Sequence, residues 1–424
     1  MHSPRPRRTP IALALAGLLG AAAVGGAGAA TPHDPLPATR TVTYANHRFV
    51  IPASWSVVDL AARPTACVRF DRHALYLGNP GSGQSCPAGA VGRTEAVLAQ
   101  PATTPAAETG TDDQSLDHQY VATDTNIRVT ATYRTDKSLV RGILGDAGLP
   151  SRAPTRNQHP APKPPAPLPL AATNYTGRGF DACTAPSNGA MSDWRTDSPY
   201  RAVGIYIGGG QRACSQPNLT ASWVRTQATA GWHFLPLYVG PQADDITSAT
   251  EEGTEAADDA VSHAQSLGFG AGAPLYYDME AYSSSHRSTV LTFLSAWTKE
   301  LHTKGYTSAV YSSSSSAITD LVGARGSSTT EPDIIFDGLW NGVADTADDA
   351  VPSDAWPDHQ RVHQYAGNVS ETYGGTTIDI DRDYLDVVTP IAAPQDDDSR
   401  KAGTQAAPSH VANDPSGVAY SVID

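Results

Sequence analysis

The stretch Pro274-Leu275-Tyr276-Tyr277-Asp278-Met279-Glu280-Ala281-Tyr282 is a short apolar run that ends in two acids spaced i, i+2. Too short for a helix and bounded by polar residues, it reads as a strand buried on both faces, as in a parallel sheet. Working outward, similar runs recur on both sides. Gly179-Phe180-Asp181 closes a first strand, Ala202–Ile207 forms a second and Phe234–Val239 a third, with Pro274–Asp278 the fourth. Ser308–Tyr311, Ile334–Phe336 leading into Leu339 and Trp340, Val362–Tyr365 and Thr377–Ile380 complete a set of eight. Helical patterns fall between them at Leu219–Ala230 after Asn218, Ile246–Leu267, Ser288–Thr303 and Ala317–Val322. Strands alternating with helices predict an α/β fold with an irregular (β/α)8 TIM-like barrel, a design of about 250 residues. No helix is expected between the sixth, seventh and eighth strands, so those units are abbreviated. A doubly wound open sheet is the alternative, although no G-x-G-x-x-G follows the first strand.

Chemistry in such a barrel sits where strands end at the C-terminal face, and here the apolar runs end mostly in carboxylates. Asp181 closes the first, Asp278 and Glu280 the fourth, and Asp379 and Asp381 the eighth. Strand alternation puts Asp278 and Glu280 on one face, roughly 6.5–7 Å apart at the backbone. Burial and mutual repulsion raise one carboxyl's pKa, leaving an acid beside a base, the division of labour that glycoside hydrolysis needs. The competing reading has these acids capping helices or pairing with arginines, and Arg382 stands ready for Asp379 and Asp381. Tyr238, Tyr282, Trp340 and Tyr365 fall at the same rim, where an aromatic ring either stacks on a sugar face or belongs to the core. A serine hydrolase is disfavoured, since no G-x-S-x-G elbow is present and Ser312–Ser316 lack a marked base. No H-E-x-x-H or EF-hand loop appears, and neither metal nor cofactor is expected.

The whole chain has 424 residues with 33 Pro and 37 Gly, too long for one core and too proline-rich to be helical throughout. Its net charge of −14 argues against nucleic acid, whose phosphates need clustered cations. Arg5, Arg7 and Arg8 precede an apolar run from Ile11 to Val24 and then small residues to Ala30, the three regions of a signal peptide over 1–30. Secretion without a transmembrane anchor is expected, and a monomer. Arg7-Arg8 is a twin-arginine pair, though Thr9 and Pro10 give that export route little support over the general one. Residues 40–147 alternate apolar and polar in short runs, predicting a small β-rich module in which His47, His73 and Asp71 read as structural rather than catalytic. A proline-rich linker follows over 148–173, the barrel spans 174–390, and 391–424 read as a disordered acidic tail. Four cysteines in an exported chain imply two disulfides. The linker favours Cys67 with Cys86 and Cys183 with Cys214 over a zinc site, which lacks close Cys pairs with His.

Gly179-Phe180-Asp181-Ala182-Cys183-Thr184-Ala185-Pro186, then Ile205-Tyr206-Ile207-Gly208-Gly209 and Leu237-Tyr238-Val239-Gly240, resemble the glycoside-hydrolase-like domain of unknown function (family 1906) of exported bacterial proteins. The resemblance covers about 174–390, and the amino-terminal module also resembles one that accompanies this domain. That family is similar in fold to family 25 glycoside hydrolases, the lysozyme-type muramidases. The likeness implies Glu280 as proton donor and Asp278 as stabiliser of the cationic intermediate or of a participating acetamido group, with Asp181 and Asp381 positioning them. It also matches Gln364 and Tyr365 to a Gln-Tyr pair, and Asp379 or Asp381 to a final acid-bearing strand. Two departures are a Cys183–Cys214 bridge across the mouth and an Asp379-Ile380-Asp381 strand where the muramidases have Asp-x-Asn.

Two functions are therefore expected to compete: a secreted glycoside hydrolase acting on cell-wall polysaccharide, peptidoglycan foremost, and a module that binds glycan without cleaving it. A third places the function in the amino-terminal module, with the barrel as spacer.

Overall fold

The computed structural model describes residues 38–102, 109–149 and 164–389. The expected signal peptide and acidic tail lie outside the described residues, as do 150–163 of the proline-rich string.

The first part is β-rich. A hairpin of β1 (Thr39–Tyr44) and β2 (His47–Pro52) adjoins a sheet built from β3 (Ser56–Asp59), β4 (Ala74–Leu77), β5 (Ala96–Pro101), β6 (Gly110–Gln114), β7 (Gln119–Thr123) and β8 (Ile127–Thr132) in the order β3-β4-β5-β8-β7-β6. Helix α1 (Lys137–Asp146), capped by Asp136 Oδ1 accepting Leu139 N–H at 2.8 Å, turns Val140, Ile143 and Leu144 onto a core with Phe49, Trp55 and Val129.

The second part is a closed barrel of eight strands: β9 (Tyr175–Asp181), β10 (Ala202–Gly208), β11 (His233–Tyr238), β12 (Pro274–Asp278), β13 (Thr307–Ser313), β14 (Ile334–Gly338), β15 (Gln360–Tyr373) and β16 (Thr376–Val387). Seven run parallel, while β16 is antiparallel to both β15 and β9. Helices α2 (Asn188–Asp197), α3 (Ala221–Thr229), α4 (Ala249–Leu267), α5 (Arg287–Thr303) and α6 (Thr319–Ala324) accompany the first strands, and none lies between β14 and β16 among the described residues. The result is a mixed α/β barrel rather than eight regular βα units. Its last two strands form one long hairpin turned by Gly374 and Gly375, both at positive φ, where glycine carries no Cβ penalty.

Alternation along each strand sorts the side chains. Tyr206, Leu235, Leu237, Tyr276, Ala309, Phe336, Val362 and Leu385 fill the barrel interior. Phe180, Ile205, Tyr238, Tyr277, Met279 and Val310 point outward and pack against the helices. The described end of the proline-rich string lies along the barrel, Leu168 N–H bonding Gly268 O at 2.8 Å and Ala166 O accepting from Arg225 at 2.9 Å.

The linker does not hold the two parts apart. The loop after β10 is clamped between two segments of the β-rich part: Phe70 N–H bonds Ala213 O (2.7 Å), Ser215 N–H bonds Val68 O (3.0 Å) and Gly92 N–H bonds Gln211 O (2.7 Å). Arg93, 2% exposed, reaches through this joint to Arg212 O, Asp117 O and Gln119 Oε1. Both expected disulfides, Cys67–Cys86 and Cys183–Cys214, are present, and they meet here, with Cys67 Sγ 3.9 Å from Cys214 Sγ. Among the described residues no helix is long and apolar enough to cross a membrane.

Candidate active site

Four acids named from the sequence meet at the C-terminal end of the barrel. Asp181 ends β9 and pairs in register with Asp381 of β16. Asp278 ends β12, and because Tyr276 faces inward while Tyr277 and Met279 face outward, Asp278 and Glu280 share the inward side. Asp181 and Asp278 are each 1% exposed, Asp381 3%, whereas Glu280 is only half-buried. None of the four forms a salt bridge among the described residues, and Arg382, the arginine nearest in sequence, turns outward to Glu371 instead.

Burial without a counter-charge sets the electrostatics. The Asp278 carboxyl is raised well above its ordinary range by desolvation, then by repulsion from Glu280, Asp181 and Asp381. Asp181 is raised by burial and by Asp381, although Tyr206 Oη (2.8 Å) and Gln364 Nε2 (3.0 Å) donate to it. Glu280 is raised by burial and by Asp381. Asp381 is raised to about 6 by burial, against which the Asn368 N–H at 2.6 Å works. A fifth acid, Asp383, lies one inward position deeper on β16 with neither oxygen partnered among the described residues, and burial followed by repulsion from Asp181 and Asp381 raises it strongly. The sequence pattern ends the eighth strand at Ile380 and leaves Asp383 outside it, whereas β16 runs on to Val387.

Neighbours fix the geometry. Gln242 Nε2 donates to the Asp278 carbonyl (2.9 Å) and its Oε1 accepts from Glu280 N–H (2.8 Å), so one side chain clamps the peptide between the two acids. Gly204 makes room for Asp181, whose Cβ lies 2.5 Å from where a Cβ on residue 204 would stand. Gln364 Oε1 accepts from Tyr311 Oη (3.0 Å) and from Trp340 Nε1 (2.9 Å), tying the 58%-exposed Trp340 to the acid cluster. The β-rich part also arrives here: a Cβ on Gly89 would stand 3.1 Å from Asp381 Oδ2, and Val91 packs on the interior cluster.

The structure places the other sequence candidates elsewhere. Tyr238 faces outward, bonds Asp259 Oδ2 at 2.8 Å and stacks on Trp297. Tyr365 follows inward-facing Gln364 and so turns outward beside His363. Tyr282 bonds Asp320 of α6 at 2.8 Å and packs against the outer core. Asp379 lines a separate cavity beside α2.

Among the described residues, two groups outside the barrel mouth bring possible metal ligands together: Cys67, Cys86 and Cys214, whose sulfurs are taken up in disulfides, and Asp117, Asp259 and His263, which hold ligand atoms within 4.8 Å of one another. The last three already satisfy one another. His263 Nε2 lies 3.4 Å from Asp117 Oδ2 and 3.5 Å from Asp259 Oδ2, and Asp117 Oδ1 also accepts Gly209 N–H at 3.1 Å.

Comparison with known proteins gives a family for the barrel. No curated protein matches the chain. Among solved structures it is similar to an uncharacterized B. stearothermophilus protein (19% identity, 49% of this chain and 95% of that one, TM-score 0.36) and to the Tat-secreted protein Rv2525c of Mycobacterium tuberculosis in complex with HEPES (17%, 49% and 95%, TM-score 0.36). It is also similar to the modular autolysin LytC from Streptococcus pneumoniae (11% identity, 65% of this chain and 58% of that one, TM-score 0.33). Residues 192–385, which include Asp278, Glu280, Asp381 and Asp383, match the family model of the Rv2525c-like, glycoside hydrolase-like domain.

Proposed function

We propose that this barrel is a secreted glycoside hydrolase acting on cell-wall polysaccharide, peptidoglycan foremost, and that it is an irregular relative of the (β/α)8 design. The reading rests on one observation: Asp181, Asp278, Glu280 and Asp381 converge at the barrel end without a salt bridge among the described residues, and of the four only Glu280 is not fully buried. A cluster of carboxyls with no cation loses its protons one at a time. Asp381, raised to about 6, accepts the Asn368 N–H, a bond that favours its charged form. Glu280, whose carboxyl is pushed up from its ordinary range by burial and by Asp381, is the least enclosed of the four acids and is placed to give a proton to a glycosidic oxygen. Asp278, whose peptide Gln242 ties to that of Glu280, stabilises, once ionised, the positive charge that develops on the sugar or its acetamido group, and Asp181 positions it. Trp340, exposed and anchored by Gln364, offers a face for a sugar ring. Two disulfides fit export by the amino-terminal signal.

A second reading, glycan binding without cleavage, is favoured by the approach of Gly89 to Asp381, which narrows the space over the acids. Reducing-end release from purified peptidoglycan separates the two. Wild type releases sugar ends and Glu280→Gln, folded to the same melting temperature, does not. Saturable wall binding with no release by either protein selects the binding module.

A further inference from the structure

Gly89 and Val91 continue a segment of the β-rich part that begins further from the acids. Upstream of them, Ser82, Gly83, Gln84, Ser85 and Cys86 form one wall of a cavity of about 450 Å³. The opposite wall is barrel: Ala182, Cys183 and Thr184, which follow directly on Asp181, the start of α2, and Thr376 to Asp379, which lead into Asp381. Asp379 and Asp381 lie on the same side of β16, roughly 7 Å apart along the strand. The cavity thus opens beside the acid cluster along β9 and β16, two of the three strands that carry it.

We propose that this cavity is a glycan subsite, shared by the β-rich part and the barrel, that holds neutral sugar units next to the bond at the acids. The proposal rests on the glycan reading above and deepens it. Its size lies within the range of about 300–1,000 Å³ usual for small-ligand sites. The chemistry of the lining specifies the ligand. Hydroxyls of Ser82, Ser85 and Thr377 and the carboxylate of Asp379 accept or donate hydrogen bonds, while Ile378 and Pro186 supply apolar surface for a sugar's C–H face. No Lys, Arg or His is among the described lining residues, so a sulfate, phosphate or muramyl carboxylate finds no counter-charge and meets Asp193 and Asp379 instead.

The wall from the β-rich part is also held rigidly, as a binding surface requires. Gln84 Oε1 accepts Val68 N–H (2.8 Å) and Ser215 Oγ–H (3.3 Å), and Asn218 Nδ2 donates to Ser82 O (2.8 Å) and to Ala185 O (2.8 Å). The Cys67–Cys86 and Cys183–Cys214 bridges stand at its foot. The β-rich part is on this view half of the substrate site and not a passenger.

Gly83 gives a clean test, because a Cβ there meets nothing within 4 Å and its backbone is not left-handed, so a large side chain enters the cavity without strain. Isothermal titration of a β-1,4-linked N-acetylglucosamine hexamer into the uncleaving Glu280→Gln protein is compared with the same protein carrying Gly83→Trp or Asp379→Asn, each checked for an unchanged melting temperature. The expected result is binding by the parent, weakened about tenfold or more by Gly83→Trp and several-fold by Asp379→Asn. Equal affinity in all three overturns the subsite and leaves the hydrolase reading standing. A parent that does not bind the hexamer also overturns it, and if wild type then releases no ends from peptidoglycan, the glycan reading falls as well.

Discussion

Gln364 donates to Asp181 Oδ2 through Nε2 at 3.0 Å, and through Oε1 it holds the indole N–H of Trp340 at 2.9 Å, so one amide links a buried carboxyl of the cluster to the exposed ring at its rim. The hydroxyl of Tyr311 donates to the same Oε1. Such a side chain has no spare partner: every polar atom of the amide acts on a group that sits in the barrel mouth.

Gln364→Ala is therefore expected to cost both stability and turnover. It strands the Tyr311 hydroxyl and one oxygen of Asp181, a penalty of about 1–3 kcal/mol when a buried partner is removed. It also releases Trp340, so substrate binding weakens together with kcat. Thermal denaturation and steady-state kinetics on peptidoglycan check this; an unchanged melting temperature would show that the amide supplies none of the stabilisation assigned to it.

Asp383→Asn is expected to stabilise the protein, and increasingly so as pH rises. The carboxyl is fully buried with no partner on either oxygen among the described residues, and its pKa is raised by burial and by its acidic neighbours. At pH 3 the group is protonated in both folded and unfolded chains, so little is gained by the amide. Above the ordinary carboxyl range the unfolded chain ionises while the folded one resists, and wild type loses stability that the Asn variant keeps. Melting temperatures at pH 3, 5 and 7 test the sign: the gap between variant and wild type widens upward, and a gap that is constant or narrows removes the assignment.

The strand ends that carry the acids were legible because an apolar run buried on both faces and stopped by a carboxylate leaves few other readings, and Asp181 and Asp278 stand at such ends. The aromatics were not. Tyr238 and Tyr365 sit at the right height on their strands, yet alternation turns both outward, and only the neighbours in space reveal which parity faces in. Helix α2 escaped notice because its ten residues bury only Met191 and Trp194, a pair at i, i+3 in an otherwise polar run started by the Ser187 cap. Asp383 was hidden by Arg382 and Asp386, charges that interrupt the apolar pattern although they alternate to the other face of a long β16. The docking of the β-rich part had no sequence signal, since it is made by backbone groups of Val68, Phe70 and Gly92 meeting the loop after β10.

That docking carries its own pH dependence. His263 of α4 stands between Asp259 of the same helix and Asp117 of the β-rich part. Burial by itself lowers the imidazole's pKa, but the hydrogen bonds and charges of the two aspartates outweigh it and raise the group to about 9. A raised histidine contributes stability that is complete below its unfolded value near 6.5 and is lost as pH climbs through 9. Wild type is thus expected to lose melting temperature between pH 6.5 and 9.5 more steeply than His263→Gln, the two curves converging at the alkaline end. Parallel curves would mean the histidine is neutral at this joint.

The nearness of the two disulfides makes a last expectation testable by mass alone. Cys67 Sγ lies 3.9 Å from Cys214 Sγ, although each is bonded to a different partner. Cys86→Ser frees the Cys67 thiol beside an intact Cys183–Cys214 bridge, where its thiolate is positioned to attack Cys214 and expel Cys183. The exchange conserves one disulfide and one thiol: the Cys67–Cys214 bond forms, the Cys183–Cys214 bond breaks, and the proton lost by Cys67 is matched by the one Cys183 takes up. Tryptic mapping of the oxidised Cys86→Ser protein, alkylated at low pH, is expected to yield a Cys67–Cys214 linked peptide and alkylated Cys183, increasingly so after incubation at pH 8.5. Recovery of only the Cys183–Cys214 peptide under those conditions would mean that the two parts do not hold these sulfurs in contact, and the shared wall of the cavity beside Asp379 would lose its footing with them.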